Sequence, residues 1–158
     1  MKVKQSPEDF RVEEVSRLDA GPEGVFALYR LQKSGIGTPE ALRVVQREWR
    51  IAPAAIDFAG LKDRYGLTGQ RITIRNGPKR NFEGRGFKLN YLGRSPEPAR
   101  RGTIERNEFA IRLRDLAPRE AERICERALL AARIGYPDYY DDQRFGSLRG
   151  TGGRFIAE

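Results

Sequence analysis

Phe58-Ala59-Gly60-Leu61-Lys62-Asp63-Arg64-Tyr65-Gly66-Leu67-Thr68-Gly69-Gln70 takes a short apolar run into a glycine, holds one carboxylate between two cations, and leaves through a second glycine. Upstream, Ile56 to Gly60 reads as a short buried strand. Downstream, Leu67 to Arg75 alternates, with Ile72 and Ile74 on one side and Arg71, Thr73 and Arg75 on the other. The spacing predicts a loop between two strands with Asp63 at its centre. Lys62 and Arg64 are expected to favour the ionised carboxylate and to attract a polyanion. An Asp in an ordinary surface turn gives the same local pattern, because structural ion pairs also perturb acids.

Working outward, Asp9 to Val15 places Phe10, Val12 and then Val15 among charged neighbours, and Val25 to Leu31 alternates through Val25, Ala27, Tyr29 and Leu31. The turn residues Asp19-Ala20-Gly21-Pro22 between them predict a hairpin. Thr38 followed by Pro39 is an N-cap with proline at the first helical position; Leu42, Val45 and Trp49 then recur at helical spacing until Pro53. Asn76-Gly77-Pro78 marks a turn, Phe87, Leu89 and Tyr91 alternate, and Ser95 to Pro98 breaks the pattern. Gly102 to Leu113 sets Phe109, Ile111 and Leu113 on one face against Ala110, Arg112 and Arg114 on the other. Pro118 opens a second helix with an apolar stripe of Ala121, Ile124, Cys125, Ala128, Leu129 and Ala132, closed by Gly135 and Pro137. Strands and helices without a strict βαβ rhythm imply an α+β fold, a mainly antiparallel sheet with helices on one face. At 158 residues, a single globular unit is expected.

Thirty Lys and Arg against 22 Asp and Glu leave a net charge of +8. Most of the excess lies between Arg71 and Arg106, where ten cations meet three anions. Interleaved with Tyr and Phe, that stretch suits nucleic-acid binding, although a solvated basic face has the same composition. The single cysteine, Cys125, excludes an internal disulfide and a Cys-rich zinc module, and its place on the apolar stripe predicts a buried thiol. The absence of histidine removes Ser-His-Asp, Cys-His and His-rich metal chemistry. Any reaction must rest on carboxylates, lysines, tyrosines or positioning. Gly84-Arg85-Gly86 and Gly150-Thr151-Gly152-Gly153 match neither a phosphate-cradling loop nor a dinucleotide fingerprint, so no cofactor is implied. Without a charged-then-apolar leader or a run long enough to cross a bilayer, a soluble, cytoplasmic protein is expected. The terminal Gly153-Arg154-Phe155-Ile156-Ala157-Glu158 stops as an apolar run begins, which reads as an element that should continue.

Five pieces, in order and spacing, resemble the TruD family of tRNA pseudouridine synthases: Lys4 to Glu14 with its Pro-Glu-Asp-Phe, Lys33-Ser34-Gly35-Ile36-Gly37-Thr38, the Asp63 loop, Gly102 to Phe109, and Gln143-Arg144-Phe145-Gly146. The resemblance implies isomerisation of a tRNA uridine, in the D-arm at position 13 for the bacterial family, without cofactor or metal. On it Asp63 is the nucleophile. It attacks the sugar or assists glycal formation, the uracil turns in a closed site, and the base rejoins through carbon. Phe109 matches the aromatic that stacks on the flipped base, Asn107 its polar partner, and Lys4 a basic residue that pairs with Asp63 or a phosphate. Phe10 and Gln70 buttress the site, Lys62 lies beside the nucleophile, and Arg144 binds phosphate or orients the loop. A phenylalanine on an alternating strand is as readily a core residue, and a lysine near an N-terminus is ordinarily solvated.

The chain departs from the family in Asp138-Tyr139-Tyr140-Asp141-Asp142, which adds acid where RNA should lie. Family members are also much longer. Residues 1–158 therefore read as the N-terminal part of a pseudouridine-synthase catalytic domain, lacking the family's inserted domain, with exposed edges to be covered by a complementing C-terminal half or by self-association. Two other classes compete. A non-catalytic RNA-binding module would keep Arg71, Arg75 and Arg85 without chemistry, and a carboxylate-metal nuclease would use Asp141 and Asp142.

Overall fold

A computed structural model describes residues 1–135. Arg144, the Asp141-Asp142 pair, Pro137 and the terminal apolar run lie outside the described residues. In chain order the elements are β1 (Lys2–Val3), β2 (Phe10–Ser16), β3 (Phe26–Lys33), α1 (Thr38–Trp49), β4 (Ile56–Phe58), β5 (Leu67–Arg75), β6 (Phe82–Gly84), β7 (Phe87–Ser95), β8 (Ile104–Ile111), β9 (Leu113–Arg114) and α2 (Pro118–Ile134). Instead of a single unit, the chain forms two compact ones, Met1–Asp115 and a second beginning at Leu116.

The first unit is built on a seven-stranded sheet in the order β6-β7-β3-β5-β2-β8, with β4 beside β5. Every pairing is antiparallel except β2 with β5. The predicted hairpin of the first two long strands does not form, because β5 lies between them. Their connection instead drops Leu18 onto Leu28 and Ala99 in a small buried cluster. Alternation identifies strands but does not choose their partners, and a connection this long leaves the pairing open.

Period-two alternation sends Ala27, Tyr29 and Leu31 of β3, Ile72 and Ile74 of β5, and Leu89 of β7 to one face. There they meet Ala41, Leu42 and Val45, which share one side of α1. The helix begins one residue earlier than the sequence suggests, with Gly37 as N-cap and the Glu40 carboxylate accepting from the Gly37 amide at 3.3 Å. It ends where Arg50 turns left-handed at φ 53°.

On its far side from β3, β5 carries two partners. Leu67–Gly69 pairs with β2 and Ile72–Ile74 with β4. The loop between β4 and β5 therefore opens where the sheet changes partner, and Asp63 lies in it.

In the second unit, α2 spans Pro118–Ile134 with Gly135 as its C-cap. Cys125, Leu129 and Leu130 are exposed, which corrects the expectation of a buried thiol on a packed stripe. Among the described residues no helix is long and apolar enough to cross a membrane.

Candidate active site

The backbone of the Asp63 loop is held from below by its neighbours. Gln70 of β5 donates from Nε2 to the Gly60 carbonyl at 3.0 Å and accepts from the Thr38 hydroxyl at 2.8 Å. Lys33, at the end of β3, donates to the carbonyls of Lys62 (3.1 Å) and Asp63 (2.7 Å), and the Gly35 amide donates to that of Arg64 at 2.8 Å. Gly66 has no room for a side chain, since a Cβ there would lie 2.8 Å from both the ring and the carbonyl of Phe10. Phe10 and Gln70 thus both shape the loop.

Above this frame the Asp63 carboxylate takes two donors, the Lys4 ammonium at 2.7 Å on Oδ2 and the Tyr65 amide at 3.0 Å on Oδ1. The Lys4 hydrogen bond, then the Tyr65 amide, hold its pKa below the usual carboxylate value, and the charge of Lys33 acts in the same direction. The cations adjacent in sequence are directed elsewhere, which corrects their expected role. Lys62 Nζ lies 2.7 Å from Glu14 Oε2 and donates to Asn107 Oδ1 at 2.8 Å, while Arg64 pairs with Glu40. In an extended loop, successive side chains diverge, so a flanking cation need not face the acid.

Lys4 reaches Asp63 through a left-handed backbone at φ 56°, a conformation uncommon for a residue with a side chain. The anchor for this segment is Asp9 of the Pro-Glu-Asp-Phe motif. Its buried carboxylate accepts both Nε and Nη2 of Arg114 at 2.8 Å and the Ser6 amide at 3.2 Å. The Arg114 bond holds Asp9 down at about 2. β1 also pairs with β9, so the segment bearing Lys4 is tied at both ends.

β2 and β8 bring the aromatics together. Val12 faces Phe109 and Glu14 faces Asn107 across the ladder. The Phe10 and Phe109 centroids are 6.2 Å apart, and the Lys4 ammonium lies 3.8 Å above the Phe10 ring. Asp63, Lys4, Phe10, Lys62, Gln70, Asn107 and Phe109 therefore belong to one neighbourhood, with Phe109 exposed. A separate depression of about 410 Å³ on the opposite face is lined by Arg11, Glu13, Arg30 and Glu108; it touches Phe109 but neither Lys4 nor Asp63.

The model of one protein family, tRNA pseudouridine synthase D (TruD), matches residues 1–154. The chain belongs to the TruD family. It is 34% identical to the "Probable tRNA pseudouridine synthase D 1" of Methanococcus maripaludis, over all of this chain and 40% of that protein. It is 31% identical to the tRNA pseudouridine synthase D of Aquifex aeolicus, over 94% of this chain and 40% of that protein. A TruD-family crystal structure from Methanosarcina mazei superposes with a TM-score of 0.83 at 30% identity, covering 94% of this chain and 36% of that one. The chain thus spans about 40% of the length of the TruD relatives it matches.

Two site residues of this TruD chain were not foreseen, although both carry a signal. Lys33 continues the inward phase of Ala27, Tyr29 and Leu31, and Glu14 continues that of Phe10 and Val12. A charged residue in an apolar phase marks a buried polar contact. The basic stretch is less open than its composition suggests. Lys88, Arg100 and Arg106 are tied to carboxylates, and Arg75 and Arg80 lie over the rings of Phe26 and Trp49.

Proposed function

We propose that the chain is the N-terminal portion of a pseudouridine-synthase catalytic domain that isomerises a uridine of tRNA, in the D-arm, with Asp63 as the nucleophile. One observation carries this reading: the Asp63 carboxylate, ionised by a 2.7 Å contact with Lys4, shares its surroundings with the exposed ring of Phe109. An anion held by fixed donors is available at neutral pH to form or promote a bond change at a ribose carbon. Phe109 offers a face on which an extruded uracil can stack and turn. Asn107, held by Lys62, presents its amide nitrogen to the base edge. Arg144 contributes a phosphate contact, and the substrate reaches the site in a cytoplasmic setting.

The same portion carries β8, the outermost strand on its side of the sheet among the described residues, with Phe109 and Ile111 exposed on it. The C-terminal remainder found in the longer relatives is the partner that covers this edge.

The test is tritium release from tRNA labelled at C5 of uracil, with the chain alone and with the C-terminal portion of a relative supplied in trans. Release is expected from the native chain in the competent preparation and not from Asp63→Asn; equal release from both removes the catalytic claim. Since the Lys4 hydrogen bond and the Tyr65 amide hold Asp63 below the usual carboxylate value, the acid limb of activity should lie lower than that of an unperturbed aspartate.

A further inference from the structure

We propose that Lys33 is a positioning residue for the Asp63 carboxylate, its buried ammonium fixing the loop by gathering the carbonyl oxygens of Lys62 and Asp63. The inference rests on the reading of Asp63 as the reacting group. The two carbonyls belong to the peptide planes on either side of the Asp63 Cα. One ammonium bonded to both restrains the two soft torsions of that residue, and so the direction in which its side chain leaves the backbone.

Lys33 is 1% exposed, and among the described residues its ammonium makes no ion pair. Lys62, by contrast, is paired with the buried Glu14. A buried charge without a counterion is costly, and a Leu or Met would continue the phase of Ala27, Tyr29 and Leu31 without that cost. The position is thus poorly explained by packing. It is well explained by the need for a multiple donor beneath a loop whose carbonyls point inward. Burial lowers the Lys33 pKa to about 8, against the opposing influence of Asp63 and reinforced by Arg64 and Lys62, so the ammonium form still predominates at neutral pH.

The neighbouring Ser34-to-Glu40 segment supplies the rest of the template. Gly35 holds the Arg64 carbonyl, Glu40 holds the Arg64 side chain, and Thr38 orients Gln70 toward Gly60. The Lys-Ser-Gly-Ile-Gly-Thr motif thus supports the Asp63 loop through Lys33, Gly35 and Thr38.

The test compares native chain, Lys33→Met and Asp63→Asn by carboxyl and amide NMR, with turnover measured in any preparation that converts uridine. Lys33→Met removes a buried charge but leaves the Lys62 and Asp63 carbonyls without their donor, so it should fold with a modestly lower melting temperature. Its Asp63 carboxyl should titrate at higher pH than in the native chain, and the Tyr65 amide should lose the shift that marks its bond to Oδ1. kcat should fall about 100-fold, as expected for a misplaced reacting group, with KM for tRNA nearly constant. A folded Lys33→Met with native Asp63 titration and a native Tyr65 amide overturns the proposal. If that variant does not fold, reductive methylation of the native chain decides: Lys33 should react at least about tenfold more slowly than exposed Lys79, and equal rates overturn it. Asp63→Asn separates the two ideas. If it turns over normally, the nucleophile assignment fails, while the NMR comparison still reports whether Lys33 orients residue 63.

Discussion

In the middle of the sheet β3 delivers Ala27, Tyr29 and Leu31 to a cluster closed by α1, whereas at the β2–β8 margin the facing positions are Phe10, Glu14, Asn107 and Phe109. The middle is sealed and apolar. The margin is held by Lys4 with Asp63, Lys62 with Glu14, and Arg114 with Asp9, and it leaves an aromatic ring open. Burial at the first region stabilises without directing any group, while the charge contacts at the second direct groups at a cost in desolvation. A scaffold and the proposed reactive surface can therefore share one sheet, because β5 belongs to both.

The sharpest way to break this contrast is to weaken the sealed side. Leu31 is 0% exposed within the main cluster. Leu31→Ala should cost about 3–5 kcal/mol in urea unfolding, from lost transfer energy and the cavity left behind. A loss below about 1 kcal/mol would show that the middle of the sheet is not the stabilising region.

How much of this could be read from the residues follows the same division. Leu67 to Arg75 coincides with β5 because Ile72 and Ile74 alternate with Arg71, Thr73 and Arg75, and α1 starts one residue earlier than the Thr38-Pro39 signal suggests because Gly37, not Thr38, caps it. The loop holding Asp63 followed from two strand signals around glycines. The strand order was not legible: the hairpin expectation could not anticipate a parallel β2–β5 pairing set by residues more than fifty positions apart. At the site, Lys62 and Arg64 stood next to Asp63 in sequence, yet the loop turns them toward Glu14 and Glu40 and leaves Lys4 as the partner. Strict alternation from Phe10 through Val12 turns Glu14 inward, and the neighbouring Val15 falls out of that phase.

A second variant probes the margin's own interior. The Lys62–Glu14 pair is buried, with 7% and 0% of the side chains exposed. Glu14→Ala leaves the Lys62 charge without its carboxylate and removes the acceptor of the Arg71 amide, for a loss of about 3 kcal/mol. Asn107, bonded to Lys62, should shift in the NMR spectrum as well. A neutral result would mean that Lys62 turns to solvent and that the margin has no interior.

Acid should also separate the two regions. Asp9 is held at about 2 in the folded chain, chiefly by Arg114, against an ordinary value of 3.8. Its contribution is complete above the unfolded value and is lost as pH falls from about 4 through about 2. Asp9→Asn should flatten that arm of the stability curve and free the segment bearing Lys4, with the cluster around Leu31 unaffected until global unfolding. An unchanged acid profile would place the titrating anchor elsewhere.

The smallest stability change is expected where the functional claim is strongest. Phe109 is 61% exposed, and its ring centroid is 6.2 Å from that of Phe10. Phe109→Ala forfeits little burial and at most a loose aromatic contact, so unfolding should change by about 0.5–1 kcal/mol. Leu31→Ala should do several times more damage to stability, although it leaves untouched the ring proposed to stack on the uracil. If Phe109 instead proves as costly as Leu31, the ring is a packing residue, and the open aromatic face on which uracil stacking depends does not exist. A near-neutral Phe109→Ala that still binds tRNA but no longer releases tritium would place its value in the reaction, where an exposed aromatic at a sheet edge is otherwise a liability.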